Sequence, residues 1–280
     1  MSGKSVQAAL ESIGYRVSML DPVNKPLTYL EELKKSNVVF IALHGKIGED
    51  GVWQAFLEQN KIPFVGSGSK SSALCFDKLA YYNFLKNKNI LMPKTELVSY
   101  DDYQISSLSS EPHVLKPNDG GSSIDTFIIR DLDNVDVAQL KTAFLKHKKL
   151  LLLNLIEGVE LTVAVLGDQA LPVIEIVPPA NQEFDYKNKY NGATKEICPP
   201  VNISEVIQMK AKEIASKIHD LCGCKDMSRT DFILSEDQKI YVLETNTIPG
   251  LTDQSLLPKA AKQIGIDMGS VCDKLIKLAA

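Results

Sequence analysis

The run Tyr241-Val242-Leu243-Glu244-Thr245-Asn246 ends in two polar side chains and a turn, Thr247-Ile248-Pro249-Gly250. Side chains alternate across a strand, so Glu244 and Asn246 share one face. Asp231 lies on the preceding apolar run, Thr230-Asp231-Phe232-Ile233-Leu234, which a short turn joins to it. Two carboxylates and an amide oxygen therefore converge. Such hard donors suit Mg²⁺ held against nucleotide phosphates, because Mg²⁺ completes its octahedron with water and substrate oxygens. Solvated acids at two strand ends are the competing reading.

A second candidate is Lys116-Pro117-Asn118-Asp119-Gly120-Gly121-Ser122-Ser123. A lysine ends a short apolar run, and the loop after it offers backbone N–H groups and the hydroxyls of Ser122 and Ser123 to phosphate oxygens. It is not a Walker A loop, since Gly-Lys-Ser/Thr and the following helix are missing. Taken alone it reads better as a plain hairpin turn. Together with the oxygen-donor triad and further lysines, it favours nucleotide-dependent chemistry.

The elements that must position these groups alternate as in an α/β protein. Apolar residues at Val6, Ala9, Leu10 and Ile13 have helical spacing, and Gly14 stops that helix. Residues 15–20 read as a strand and 27–35 as a helix. The continuous apolar run 38–43 delivers His44-Gly45 at its C-terminal end, where parallel sheets place their ligands. A helix over 51–60, a strand over 62–65 and one long helical stretch over 71–88 follow. Strands are expected at 113–117, 126–129, 150–155, 160–166 and 170–176. Between Pro178 and Pro200 lies a polar segment containing Phe-Asp-Tyr-Lys-Asn-Lys-Tyr, long enough to be either functional or disordered. A helix at 204–221, strands at 229–234 and 240–244 and a terminal helix complete the chain.

Composition narrows the partners. A chain of 280 residues with 44% hydrophobic content can bury a substantial core. Its net charge of -4, with both signs scattered, offers no basic stripe to a nucleic acid. The five cysteines form an odd set, and no signal peptide or membrane-length apolar run accompanies them. The expectation is a reduced, cytoplasmic protein with no membrane insertion. Cys222-Gly-Cys224, although near His219, lacks the spacing of a zinc pair and reads as ordinary core or surface thiols.

His44-Gly45 with Gly48-Glu49-Asp50-Gly51, Pro63 with Val65-Gly66-Ser67-Gly68, Ser72-Ala73-Leu74 and Asp77-Lys78 occur in that order. So do Lys116-Pro117 with Gly121-Ser122-Ser123, Glu160 with Thr162-Val163-Ala164, Asp185-Tyr186 with Lys189-Tyr190, and Arg229 with Asp231. Glu244-Thr245-Asn246-Thr247, Pro249-Gly250 and Ser255-Leu256 close the series. This colinear set resembles the D-alanine–D-alanine ligases of the ATP-grasp superfamily, from about residue 2 to the C-terminus.

The resemblance implies an ATP-grasp fold, α/β and α+β, in three subdomains: 1–66, a central 67–155, and 156–280 carrying the metal site and a mobile loop. It implies ATP-dependent ligation of two D-alanines through an acylphosphate, for peptidoglycan precursors, by a homodimer. Asp231, Glu244 and Asn246 would hold Mg²⁺ or Mn²⁺. Lys78, Lys116, Ser123 and Lys189 would meet the ATP phosphates, and Glu160 the ribose. Arg229 would steady the developing oxyanion. Ser122 and Tyr190 would pair to close the loop, His44 would lie near the first substrate, and Ser255 with Lys189 near the carboxylate of the second. A tyrosine at 190 favours D-alanine over D-lactate as that second substrate.

The chain departs from the family pattern in places. Family members begin with a β-strand and a glycine-rich loop whose glutamate grips the first D-alanine's ammonium, whereas this chain starts at the following helix. The N-terminal subdomain is thus expected to lack its first strand and that glutamate. Leu153 stands where an acid usually reads the adenine amino group, Asp125 replaces a glycine, and Ser228 replaces another before Arg229. Two alternatives follow: a weakly active or inactive ATP-binding relative, and a ligase of other D-amino or hydroxy acids.

Overall fold

The structure is a computed structural model that describes residues 1–21, 29–121, 124–179 and 194–280. Three sheets organise these residues. The smallest is a parallel pair, β1 (Val39–Phe40) with β2 (Phe64–Val65). An antiparallel four-stranded sheet has the order β3 (Thr95–Val98), β6 (Leu150–Asn154), β4 (His113–Lys116), β5 (Phe127–Ile129). The largest runs β10 (Lys195–Ile197), β9 (Ile174–Val177), β7 (Gly158–Leu166), β11 (Met227–Ser235), β12 (Ile240–Asn246), with β8 (Gln169–Ala170) paired to β7.

The largest sheet is covered on both faces, which explains why β7 is apolar without interruption from Leu161 to Leu166 except for Thr162. On one face Leu161, Val163, Phe232 and Val242 pack with Tyr81 and Leu85 of α5 (Lys78–Lys86) and Ala215 and Ile218 of α8 (Glu205–Leu221). On the other, Ala164, Leu166 and Ile174 meet α1 (Ser2–Ser12), α9 (Leu256–Gln263) and α10 (Met268–Ala279). The four-stranded sheet has its own core, where Leu115, Leu150 and Leu152 pack on Leu140 and Phe144 of α7 (Val137–His147). Of the five cysteines, Cys75, Cys222, Cys224 and Cys272 are buried thiols in these cores. No helix among the described residues is long and apolar enough to cross a membrane.

Several expected elements change. Residues 15–20 form no ladder among the described residues; Tyr15 and Val17 satisfy their apolar faces by packing, and the Tyr15 hydroxyl donates to Asp273 at 2.9 Å. The helix expected over 71–88 is two helices, α4 (Ser69–Phe76) and α5. Asp77 breaks it by turning extended (ψ 100°) and accepting from the Ala80 N–H at 2.9 Å, so it caps α5 and sets Lys78 at that helix's first position. Pro172 lies in the gap where 170–176 divides into β8 and β9, and the terminal helix is two helices turned at Gly265 (φ +80°). Leu27 falls outside the described residues, and the helix there is α2 (Leu30–Leu33); α3 (Val52–Gln59) precedes α4, and α6 (Tyr100–Ile105) follows β3.

Gly158 starts β7 against β11, and a Cβ there would stand 2.1 Å from the Leu234 carbonyl oxygen. The nearest atoms are backbone of Leu234, which cannot swing aside as a flexible side chain would. Gly158→Ala is therefore expected to lower unfolding free energy by about 1–3 kcal/mol, read by urea titration.

Candidate active site

The β11–β12 register sets Arg229 opposite Asn246 and Asp231 opposite Glu244, so all four side chains share one face. Thr230 and Thr245 face the other way, fully buried, with their hydroxyls 2.9 Å apart and Tyr81's hydroxyl 2.7 Å from Thr245. That satisfied network fixes the register behind the site. Just beyond Asp231 the pairing slips from Asp231–Glu244 to Phe232–Val242, which leaves Leu243 as the extra residue of a bulge. Its carbonyl accepts from the Tyr82 hydroxyl at 2.7 Å. Tyr81 and Tyr82 thus grip β12 on both sides of Glu244.

Arg229 holds Asp231 in a fork, Nε to Oδ1 at 2.9 Å and a terminal nitrogen to Oδ2 at 2.8 Å. Ala164 lies opposite Arg229 on β7, and its small side chain leaves room for the guanidinium to fold over. Burial opposes the arginine's charge, but Asp231, with Glu244 and Glu49, raises its pKa above the ordinary value. Thr162, opposite Asp231 on β7, donates to Oδ1 at 2.6 Å. Being β-branched and buried in a central strand, it is a fixed donor. Thr162→Val is expected to lower turnover roughly tenfold or more while Thr162→Ser stays near the parent, since a hydrogen bond to a charged group is worth about 1.5–3 kcal/mol. Steady-state kinetics on the two variants distinguishes that role from packing.

Lys78 and Lys116 bring charge to the same place. The Lys78 ammonium lies 3.8 Å from Glu244 and donates to the Gly120 carbonyl at 2.5 Å, tying α5 to the loop after β4. Lys116, the last residue of β4, lies over the Tyr82 ring, 5.7 Å from its centroid, and 3.4 Å from its hydroxyl. Burial pushes the pKa of both amines down, and Glu244 works against it in each case. Three cations thus gather around Asp231 and Glu244, as a site for a polyanion requires.

A cleft of about 580 Å³ opens from these groups between the two larger sheets. Lys78, Lys116, Asp231 and Glu244 bring charge to its lining, which includes Gly120, and Leu153, Leu155 and Ile156 line it with apolar side chains near Glu160. His44 sits at the margin of the parallel pair, its Nε2 2.9 Å from the Ser2 hydroxyl and its Nδ1 3.5 Å from Glu49. Glu49 also accepts from the Gly45 N–H at 2.7 Å. Ser255 is the residue before α9, and its hydroxyl contacts the Thr252 N–H and hydroxyl at 3.0 and 2.9 Å. Ser122, Ser123, Lys189 and Tyr190 lie outside the described residues.

Two sequence profiles match the chain, one described as D-ala D-ala ligase N-terminus over residues 2–67 and one as D-ala D-ala ligase C-terminus over residues 78–277. The chain belongs to the D-alanine–D-alanine ligase family. It is 38% identical to a D-alanine–D-alanine ligase of Syntrophobacter fumaroxidans over 99% of this chain and 91% of that one. The ligase of Zymomonas mobilis is also 38% identical, over 100% and 88% of the two chains. Among solved structures, the Bacillus anthracis D-alanine–D-alanine ligase complexed with ATP superposes with a TM-score of 0.85 at 28% identity, covering 100% of this chain and 91% of that one. The VanG D-Ala:D-Ser ligase of Enterococcus faecalis gives 0.76 at 31% identity, over 88% and 74%. The fold is ATP-grasp, as in other D-alanine–D-alanine ligases.

Within this member of the D-alanine–D-alanine ligase family, residues that carry no signature on their own complete the site. Thr162 is part of the family-like run Glu160 with Thr162-Val163-Ala164, but nothing in that run marks it as the donor to Asp231. Tyr81 and Tyr82 lie one turn beyond Lys78, and nothing in their types distinguishes them from core aromatics. Glu175 was passed over inside the strand Ile174-Glu175-Ile176-Val177, where an acid in an apolar run was the available signal.

Proposed function

We propose that this chain joins two molecules of D-alanine at the expense of ATP, supplying D-alanyl-D-alanine for peptidoglycan precursors. A carboxylate oxygen of the first D-alanine takes the γ-phosphoryl group, and ADP leaves. The amine of the second then attacks the acyl carbon, and phosphate departs. What supports the reading most is the arrangement of Arg229, Asp231, Glu244 and Asn246 on one sheet face with the buried amine of Lys78 and the half-buried Lys116 beside them.

The donor set fits a hard divalent cation. Arg229 and Thr162 occupy Oδ1 of Asp231, Arg229 alone meets Oδ2, and the Asn246 amide oxygen accepts only the Ile248 N–H at 2.8 Å. A lone pair remains on each of those last two oxygens. Asp231, Glu244 and Asn246 would hold Mg²⁺ or Mn²⁺, which when bound neutralises phosphate charge during transfer. Lys78 and Lys116 hold the phosphates, and Glu160 takes the ribose. Arg229 lies beside Asp231, positioned to turn its fork to charge growing on the transferring group. His44, braced by Ser2 and Glu49, faces the first D-alanine, and Ser255 with Lys189 meets the second. The reading gives Ser123 a part in holding the ATP phosphates, and Ser122 with Tyr190 a part in keeping water from the acylphosphate. The same reading divides the chain into working parts at 1–66, 67–155 and 156–280, makes it a cytoplasmic homodimer, and gives it D-alanine, ATP and Mg²⁺ as its small-molecule partners.

A panel of second substrates, D-alanine, D-serine, D-lactate, glycine and L-alanine, scored by phosphate release, tests the specificity. D-Alanine is expected to give the highest kcat/KM; faster turnover of D-lactate or D-serine contradicts it. Nucleotide affinity should also fall on the alkaline side. Because burial lowers the pKa of both lysines, they lose their protons before an exposed lysine would, so the ATP Kd is expected to rise as pH climbs through a range below 10.5. Calorimetric titration against pH reads this limb, and Lys116→Arg, which stays charged, is expected to move it upward.

A further inference from the structure

Three carboxylates, Glu157, Glu160 and Glu175, line the nucleoside end of the cleft together with Leu153, Ile156 and Val177. Glu157 is paired with Arg130, and Glu160 interacts with other groups of the protein. Glu175 differs. Its Oε2 is shielded from solvent and has no hydrogen-bond partner, although the residue borders the cleft. The one other such side-chain atom among the described residues, Gln54 Oε1, does not line it.

Strand geometry puts no donor directly opposite Glu175, and Lys195, its diagonal same-face neighbour on β10, is exposed and makes no hydrogen bond to its Oε2. Glu175 stands on β9 between Leu161 of β7 and Ile197 of β10, both apolar, with Ile174 and Ile176 on either side. A shielded acceptor without a donor costs about 1–3 kcal/mol, more when charged, and such an atom in a folded protein calls for a reason. A cleft of about 580 Å³ with apolar side chains beside Glu175 has room for a heterocycle and its sugar.

We propose that Glu175 is a specificity residue whose carboxylate accepts a hydrogen bond from a donor of the bound nucleoside, an exocyclic N–H of the base or a ribose hydroxyl. The assignment rests on the nucleotide reading above. It explains why a sequence that otherwise fills β9 with apolar side chains keeps an acid there. A site built to bond a particular donor rejects ligands that lack it, because the acceptor then stays unpaired. Glu175 therefore adds selectivity at the nucleoside end, where Leu153 offers only apolar contact.

The test uses the full chain with Mg²⁺ and isothermal titration of ATP, 2′-deoxy-ATP, 3′-deoxy-ATP and purine riboside triphosphate, which lacks the 6-amino group. Glu175→Met removes the acceptor at similar volume, and Glu175→Gln keeps an acceptor without the charge. Glu175→Met is expected to weaken ATP roughly tenfold to a hundredfold, with Glu175→Gln in between. One analogue should bind the parent correspondingly worse and lose nothing further in Glu175→Met, which names the donor as base amine or hydroxyl. Urea unfolding of the nucleotide-free Glu175→Met chain should show unchanged or higher stability, since an unsatisfied acceptor has gone. ATP affinity within twofold of the parent, or an equal loss for all four nucleotides, overturns the assignment, as does a loss of affinity accompanied by destabilisation of the free chain. If the parent itself binds none of the four, the nucleotide reading fails, and this assignment with it.

Discussion

Arg229→Ala is expected to lower kcat for dipeptide formation by roughly 10²–10³-fold, the usual consequence of removing a preorganised donor from developing negative charge. Two effects compete in this variant. The first is chemical: the guanidinium is the one cation of the site on the same strand as Asp231, two residues away and on the same face. The second is structural, since Asp231 keeps only the Thr162 hydroxyl when its fork partner goes. Breaking a buried pair from one side costs about 3–5 kcal/mol, but this pair borders a cleft and water will lower that figure. Urea titration reads the structural part, and kcat at saturating ATP on the folded fraction reads the chemical part. Arg229→Lys is expected to recover little, because a point charge does not reproduce the fork. A kcat within threefold of the parent would remove Arg229 from the chemistry.

Glu244→Ala has the other large expected effect: dipeptide formation falls to background while ATP still binds. Glu244 is the carboxylate nearest Lys78, and its charge also acts on Lys116 and Arg229. Its loss removes a proposed metal donor and one negative charge from among three cations. Those two consequences oppose each other for nucleotide binding, since excess positive charge attracts the triphosphate while the missing donor weakens the metal. Turnover has no such compensation. Glu244→Gln separates charge from shape, and Mn²⁺ binding followed by electron paramagnetic resonance should weaken in both variants. Unchanged Mn²⁺ affinity in both would place the cation elsewhere.

The functional face was legible from sequence because it depends on alternation. Glu244 with Asn246, and Asp231 on the neighbouring strand, need only a period of two and a hairpin, and β11 and β12 form as the apolar runs indicate. Lys116 at the end of β4 was legible for the same reason. The bulge at Leu243 was not, because it arises from how β12 meets both β11 and Tyr82 rather than from any residue of its own. Periodicity also ran helices α4 and α5 together. It does not register that Asp77 gains more by capping α5 and bridging to Asp119 than by continuing a helix. At residues 15–20 alternation was read as a strand, yet alternation reports burial of one face and not the presence of a ladder partner. Thr162 and Glu175 were missed for a further reason: their roles come from cross-strand neighbours fixed only by register.

Incubation of the purified chain with Mg²⁺, ATP and D-alanine, followed by mass spectrometry for dipeptide and an assay for phosphate, tests the central claim most directly. Alanyl-alanine formed with one phosphate released per dipeptide, and lost in Glu244→Ala, is the expected result. ATP binding with no dipeptide at any D-alanine concentration would contradict it and leave a nucleotide-binding member of the family without ligase activity.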